Sequence, residues 1–255
     1  MQITAAVNST TIDDWPNIIA TSIAHARLVV PFIGIHPWLV AQLSQSARDE
    51  AFRSLEEMTL SQVGSTRAVG IGEIGLDKSA THKGSLPEQI DLFRRQLRLA
   101  GFHRLPVTIH CVKAWEELLL ALKTEEPGDT PLIFHSFIGD EQRIRLLSRW
   151  NSFFSIRTAG PSSIAKKGRE MLVHWGSQPT FHTSSKGNLR DRLLIETDLP
   201  ADEVITPQEY GTLLQESYQT ASTALGIPLS LLAKLTLENF TRATQRTKHQ
   251  LSVKG

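Results

Sequence analysis

Val69-Gly70-Ile71-Gly72-Glu73-Ile74-Gly75-Leu76-Asp77 decides how this chain is read. It is an apolar run closed by a glycine-flanked carboxylate, the way a parallel barrel strand presents a ligand at its C-terminal end. Glu73 falls where the strand opens into its loop, and the glycines let a metal or a substrate approach the backbone closely. The pattern recurs in Pro106-Val107-Thr108-Ile109-His110, Leu132-Ile133-Phe134-His135 and Leu193-Leu194-Ile195-Glu196-Thr197-Asp198. Glu73, His110, His135 and Asp198 on four strand ends describe a metal site assembled at the top of a barrel.

Apolar runs at 3–7, 28–33, 68–72, 107–110, 132–135, 153–156 and 193–196 read as strands and alternate with helical patterns. The segment 88–100 sets Ile90, Phe93, Leu97 and Ala100 at helical spacing, and 115–123 and 141–150 read the same way. The tail, 210–246, is helical apart from a turn at Gly226-Ile227-Pro228. This alternation predicts a parallel sheet covered by helices. The expected fold is α/β, one barrel domain over 1–255, with 1–247 as its core and 248–255 as a frayed tail. Seven runs are one short of a closed eight-stranded barrel. The stretch 158–191 is rich in Ser, Lys and Gly and reads as a loop, over the barrel mouth or as a surface excursion.

Composition narrows the function classes. With 40% hydrophobic residues the chain builds a sizeable core, and it contains no run of about eighteen apolar residues that would span a membrane. The single cysteine, Cys111, rules out an internal disulfide and fits a reducing cytoplasm. A formal charge of +1 gives no broad basic footprint, so nucleic-acid binding has to rest on a local site.

Carboxylates and imidazoles together suit Zn, Mn, Fe or Mg, with Mg the poorest match for two imidazoles. Such an ion polarises a phosphoryl or carbonyl oxygen and lowers the pKa of its water to about 7. Glu73 is the candidate to bridge two ions roughly 3.5–4 Å apart, and Asp198 is placed to take the proton from the attacking water. Strand alternation is read as turning Glu196 away from Asp198 into a structural role, and likewise Cys111 away from the mouth. Trp38 either stacks on a base or packs over the rim. His82 follows the Glu73 loop within reach of substrate, and His182 and Lys186 lie in the uncertain stretch. His25 belongs to a helix, His103 and His249 to solvent, and Arg94, Arg95 and Arg98 to one charged helix face.

Gly34-Ile35-His36-Pro37-Trp38, Gly72-Glu73-Ile74-Gly75-Leu76-Asp77, Pro106-Val107-Thr108-Ile109-His110, Phe134-His135-Ser136-Phe137 and Ile195-Glu196-Thr197-Asp198 resemble, in order, the motifs of TatD-type metal-dependent deoxyribonucleases. Leu235-Thr236-Leu237-Glu238-Asn239-Phe240 resembles their closing helix. The resemblance runs from Ile3 to about Thr244. It implies a (β/α)8 TIM-type barrel of the metal-dependent hydrolase class, with one or two divalent ions, Zn, Mn or Mg. It implies hydrolysis of phosphodiester bonds in DNA, or in another phosphodiester substrate, with Glu73 as shared ligand and His110 and His135 as ligands of one ion. Asp198 becomes ligand and proton acceptor, and His36 faces the substrate phosphate, with Trp38 and Lys113 as further substrate contacts.

Three departures from the family pattern stand out. The His-x-His that ends the family's first strand has no counterpart, and the run 3–7 aligns with the second strand, so strand one is missing. The Arg two residues beyond the fourth-run His is Val112, with Lys113 beside it. The Arg- and Asn-rich loop after the last Asp is Leu199-Pro200-Ala201-Asp202-Glu203. The expectation is therefore fewer than two bound ions. Alternatives are a degenerate barrel that only binds a partner, or a hydrolase of a small phosphodiester or an amide.

Overall fold

Strand β3 (Gly70–Asp77) is buried at all eight positions, which requires cover on both faces of the sheet. The structure, a computed structural model, describes residues 3–62, 69–178, 181, 189–199 and 205–245. These divide into a first compact unit up to Leu132 and a second from Ile133 to Ala243.

In the first unit β1 (Ala5–Asn8), β2 (Val29–Ile33), β3 and β4 (Val107–Val112) pair in parallel and in chain order. Between them lie α1 (Trp15–Ala24), the single turn α2 (Pro37–Val40), α3 (Gln45–Gln62) and α4 (Leu86–His103), and α5 (Trp115–Glu125) follows β4. Phe32, Ile33, Ile71, Ile74, Val107 and Ile109 from the strands meet Trp15, Leu55, Phe93 and Leu97 from the helices, all at most 1% exposed.

The sequence ends the third strand at Gly72; in the structure it runs five residues further. Ile71 is register partner of Val107 and Ile74 of Ile109, so one extra residue bulges out at Gly72-Glu73, where the peptide is cis. Beyond the bulge Gly75 pairs with His110 at φ 148°, and a Cβ there would lie 1.9 Å from the His110 carbonyl oxygen. Glycine thus keeps β3 against β4 all the way to Asp77.

Two buried glutamines seven apart on one face of α4 tie the loops down. Gln89 accepts from the Asp77 amide at 2.7 Å and donates to its carbonyl at 3.1 Å. Gln96 makes the matching pair with Ile35, at 2.7 and 3.3 Å.

The second unit carries β5 (Leu132–Phe134), β6 (Ser152–Arg157) and β7 (Leu193–Glu196), again in chain order, with α6 (Glu141–Leu147) and α7 (Ser163–Gly176) between them. It ends in α8 (Pro207–Leu225) and α9 (Leu229–Thr244). Phe134, Phe137 and Phe154 form its aromatic centre, with ring centroids 4.6–6.4 Å apart. Within the stretch read as a loop, α7 is a regular helix capped by Ser162, which accepts from the Ala165 amide, and it buries Ala165, Gly168, Leu172 and Trp175. The expected tail helices are present. Thr206 and Glu209 box the start of α8, and Gly226 ends it in the left-handed region. Asn239 of α9 donates to the carbonyls of Arg190 and Leu193, which fixes that helix to the start of β7.

Candidate metal centre

Each unit brings one cluster of imidazole and carboxylate together. In the first, Glu73 Oε1 lies 3.0 Å from His110 Nδ1 and 3.6 Å from His36 Nε2, with Glu73 and His36 buried and the His110 side chain 11% exposed. The other ring nitrogen of His110 lies 3.2 Å from Asp77 Oδ2. Asp77 is itself held by the Trp38 indole N–H at 2.7 Å and the Ser79 amide at 2.8 Å. Burial alone would raise the Asp77 pKa, but hydrogen bonds from His110, Ser79 and Trp38 outweigh it and hold the carboxyl well below the usual range.

The second cluster repeats the motif. His135 Nδ1 lies 3.0 Å from Glu196 Oε2 and its Nε2 3.2 Å from Asp198 Oδ1. Ser136 donates its hydroxyl to Glu196 at 2.7 Å and to Asp198 at 3.2 Å, and its amide to Glu196 at 3.0 Å. Ser136 and Asp198 both sit past their strands at positive φ, 42° and 49°.

These contacts test the site for a cation. A neutral imidazole has a single N–H, yet His110 and His135 each face a carboxylate at both ring nitrogens. A divalent ion at one nitrogen lets the ring stay neutral while the other donates to the second carboxylate, the usual arrangement of a metal-bound histidine. His36, Glu73 and His110 offer ligand atoms within 4.8 Å of one another, and so do His135, Glu196 and Asp198. The residues fit a divalent metal ion.

All four expected ligands, Glu73, His110, His135 and Asp198, thus fall in these clusters. The reading of Glu196 is corrected: it faces the same cluster as Asp198. Side chains two apart share a face, so alternation groups 196 with 198 rather than separating them. His36, expected to face the substrate phosphate, is buried beside Glu73. It caps α2, with Nδ1 accepting from the Trp38 amide at 3.3 Å, and its other nitrogen faces Glu73. Trp38 is 47% exposed and stacks on His82 at 5.5 Å, which joins His82 to the first cluster's edge. Lys113 is exposed, one residue past β4, at φ 56°. Cys111 is half-buried. Arg94 and Arg98 pair with Glu125, and Arg95 with Asp49. His182, Lys186, His249, most of the loop after Asp198 and the tail from 248 lie outside the described residues.

The sequence reading missed Asp77, Ser136 and Arg157 as functional neighbours. Asp77 and Ser136 stood inside quoted motifs, so the signal was present for both. Arg157 ends an apolar run as His110 ends another, and a search for cations as well as ligands at strand ends would have found it.

The family described as TatD related DNase matches residues 2–245. The chain belongs to the TatD-related DNase family. It is 31% identical over 191 residues to YabD of Bacillus subtilis, an uncharacterized metal-dependent hydrolase, covering 73% of this chain and 64% of that protein. It is 32% identical over 177 residues to the 3'-5' ssDNA/RNA exonuclease TatD of Erwinia amylovora, covering 69% and 60%. A human 3'-5' RNA nuclease, TATDN2, is 28% identical over 173 residues, which is 68% of this chain and 20% of that one. The chain therefore spans from a fifth to just under two thirds of these relatives' length. Among solved structures, YjjV, a TatD homologue of Escherichia coli, superposes with a TM-score of 0.70 at 19% identity, covering 94% of this chain and 86% of that one. That likeness assigns the TatD fold, a TIM-type barrel, and the described residues hold seven parallel strands of it, as the count of apolar runs expects.

Proposed function

We propose that this TatD-family chain is a divalent-metal-dependent hydrolase that cleaves phosphodiester bonds of single-stranded nucleic acid, DNA in the first place. The observation that carries the reading is the pair of histidines, each flanked at both ring nitrogens by carboxylates. The relatives' names, a metal-dependent hydrolase and a ssDNA/RNA exonuclease, give it direction. We read Glu73, His110 and His36 as holding the ion in the first cluster, and His135 and Asp198, with Glu196, as the ligand set of the second. A bound ion supplies Lewis-acid polarisation of a phosphoryl oxygen and acidifies its water.

The chain's own residues do the rest. Asp198 Oδ1 accepts the proton of the attacking water and passes it to the leaving oxygen. Glu73 would balance the charge of an ion held beside His36 and His110, and Asp77 keeps His110 in one tautomer and orientation. Trp38, pinned by Asp77 and backed by His82, offers its exposed face to an unpaired base, which favours single strands over duplex. We place the protein in a reducing cytoplasm on the strength of its lone, half-buried cysteine.

The test is a metal titration of the full chain with zinc, manganese and magnesium, followed by hydrolysis of a labelled single-stranded oligodeoxynucleotide. Cleavage that needs zinc or manganese, stops on chelation and is lost in Glu73→Ala is the expected result. Cleavage unaffected by chelation, or none with any of the three metals, overturns the reading. The buried first cluster is expected to hold its ion tightly and the more open second one weakly, so elemental analysis should find fewer than two tightly held ions per chain.

A further inference from the structure

The second cluster contains a cation that the chemistry above does not use. Arg157 is the last residue of β6 and the register partner of Glu196, the last of β7. Its backbone is fixed from behind by α7, where a Cβ on Gly168 would meet the Arg157 carbonyl oxygen at 2.1 Å. Its NH1 donates to the Asp198 carbonyl at 3.2 Å and to Asp198 Oδ2 at 3.3 Å. Nε has no hydrogen-bond partner, NH2 makes none with a described residue, and the side chain is 20% exposed. A guanidinium is thus held in place by one of its three nitrogens while two remain uncommitted, at the edge of a half-open site.

We propose that Arg157 recognises phosphate: its free amino group donates to a non-bridging oxygen of a phosphodiester held at the His135, Glu196 and Asp198 cluster. This rests on the phosphodiester reading above. Two carboxylates cancel the charge of a divalent ion held between them, so a phosphate at this cluster needs a further local cation to balance its own charge. Two other arginines of this unit are spent on main-chain carbonyls, Arg169 on Thr158 and Gly160 and Arg192 on Trp150 and Ser152. The sequence offers little elsewhere, with Val112 after His110 and with Asp202 and Glu203 following Asp198. A planar fork held by Asp198 is already ordered before substrate arrives, which suits it to oxyanion recognition better than a mobile lysine.

The test is fluorescence anisotropy of a labelled, phosphorothioate-blocked single-stranded oligodeoxynucleotide on the zinc-loaded full chain, for wild type, Arg157→Gln and Arg157→Lys. Arg157→Gln is expected to weaken binding about tenfold and to lower the salt slope by about 0.7. Arg157→Lys keeps the slope and recovers part of the affinity. Cobalt(II) absorption titrations are expected to superimpose for all three proteins. Unchanged affinity and slope in Arg157→Gln overturns the proposal. So does a loss of cobalt affinity parallel to the loss of oligonucleotide, which would make Arg157 a support for Asp198 alone. A wild type that neither binds nor cleaves the strand removes the phosphodiester reading and this proposal together. Wild-type cleavage with an indifferent Arg157→Gln removes only the latter.

Discussion

The two clusters share one plan, an imidazole between two carboxylates, and differ in what carries it. In the first unit Glu73, His110 and Asp77 all sit within strands β3 and β4, and Glu73 and Asp77 are buried. In the second, His135 and Asp198 lie just past β5 and β7, Asp198 is 33% exposed on its side chain, and two residues hold left-handed backbone. The neighbours differ too: a second imidazole, His36, joins the first cluster, whereas an arginine joins the second. In the function proposed above, the difference separates two tasks. Groups packed inside a sheet are preorganised to hold an ion, while groups past the strand ends stay accessible to a substrate and to the water that attacks it.

Substitutions can break that contrast. The largest effect is expected from Gly75→Ala, which drives a methyl into the His110 carbonyl and strains a positive φ. The expected loss is about 3–5 kcal/mol in urea melts. Ser136→Ala, its counterpart in the second cluster, should cost only about 1–2 kcal/mol. Equal losses would erase the distinction between a rigid and an open cluster. Next comes Glu73→Ala, for which initial rates of metal-dependent cleavage should fall by more than about 100-fold. A wild-type rate in that variant would mean that metal does its work elsewhere.

Asp77→Asn sharpens the comparison from the side of the supporting groups. It should weaken cobalt(II) binding about 10- to 100-fold while the urea midpoint moves little. The smallest effect is a control that belongs to neither cluster. Glu125 is buried from solvent, which opposes ionisation, but Arg94 and Arg98 outweigh that and depress its pKa. Its contribution is fully present above the unfolded carboxyl value of about 4.3 and is lost as pH falls through the lower folded value. Glu125→Gln should therefore reduce stability at neutral pH and flatten the acid limb of a urea-midpoint profile. An unchanged limb would mean that the pair contributes nothing.

The strands were legible because sheets buried on both faces write themselves as short continuous apolar runs, and 193–196 matched β7 residue for residue. The third strand ended too early on paper because Gly72 and Gly75 look like punctuation, although here they serve close approach to β4. α7 went unread because its buried face, Ala165, Gly168, Leu172 and Trp175, is small at two of four positions and diluted by lysines. The four ligand candidates followed from their place at strand ends. Glu196 did not, through a miscounted parity, and His36 owes its place to α2, a single turn that only Pro37 announces. Asp77 takes its meaning from Trp38, 39 positions away, and no local pattern encodes such a pairing.

Gly75 also bears on how such a protein can change over generations. Because the contact that lets β3 lie on β4 is made to the His110 main chain, position 75 stays tied to glycine whichever side chain stands at position 110. A lineage relaxing its demand for catalysis could lose the ligands around it one by one and would still keep Gly75 for the fold. Drift would begin at the less buried positions, Asp198, Arg157 and Trp38, leaving a metal-holding scaffold whose substrate has changed.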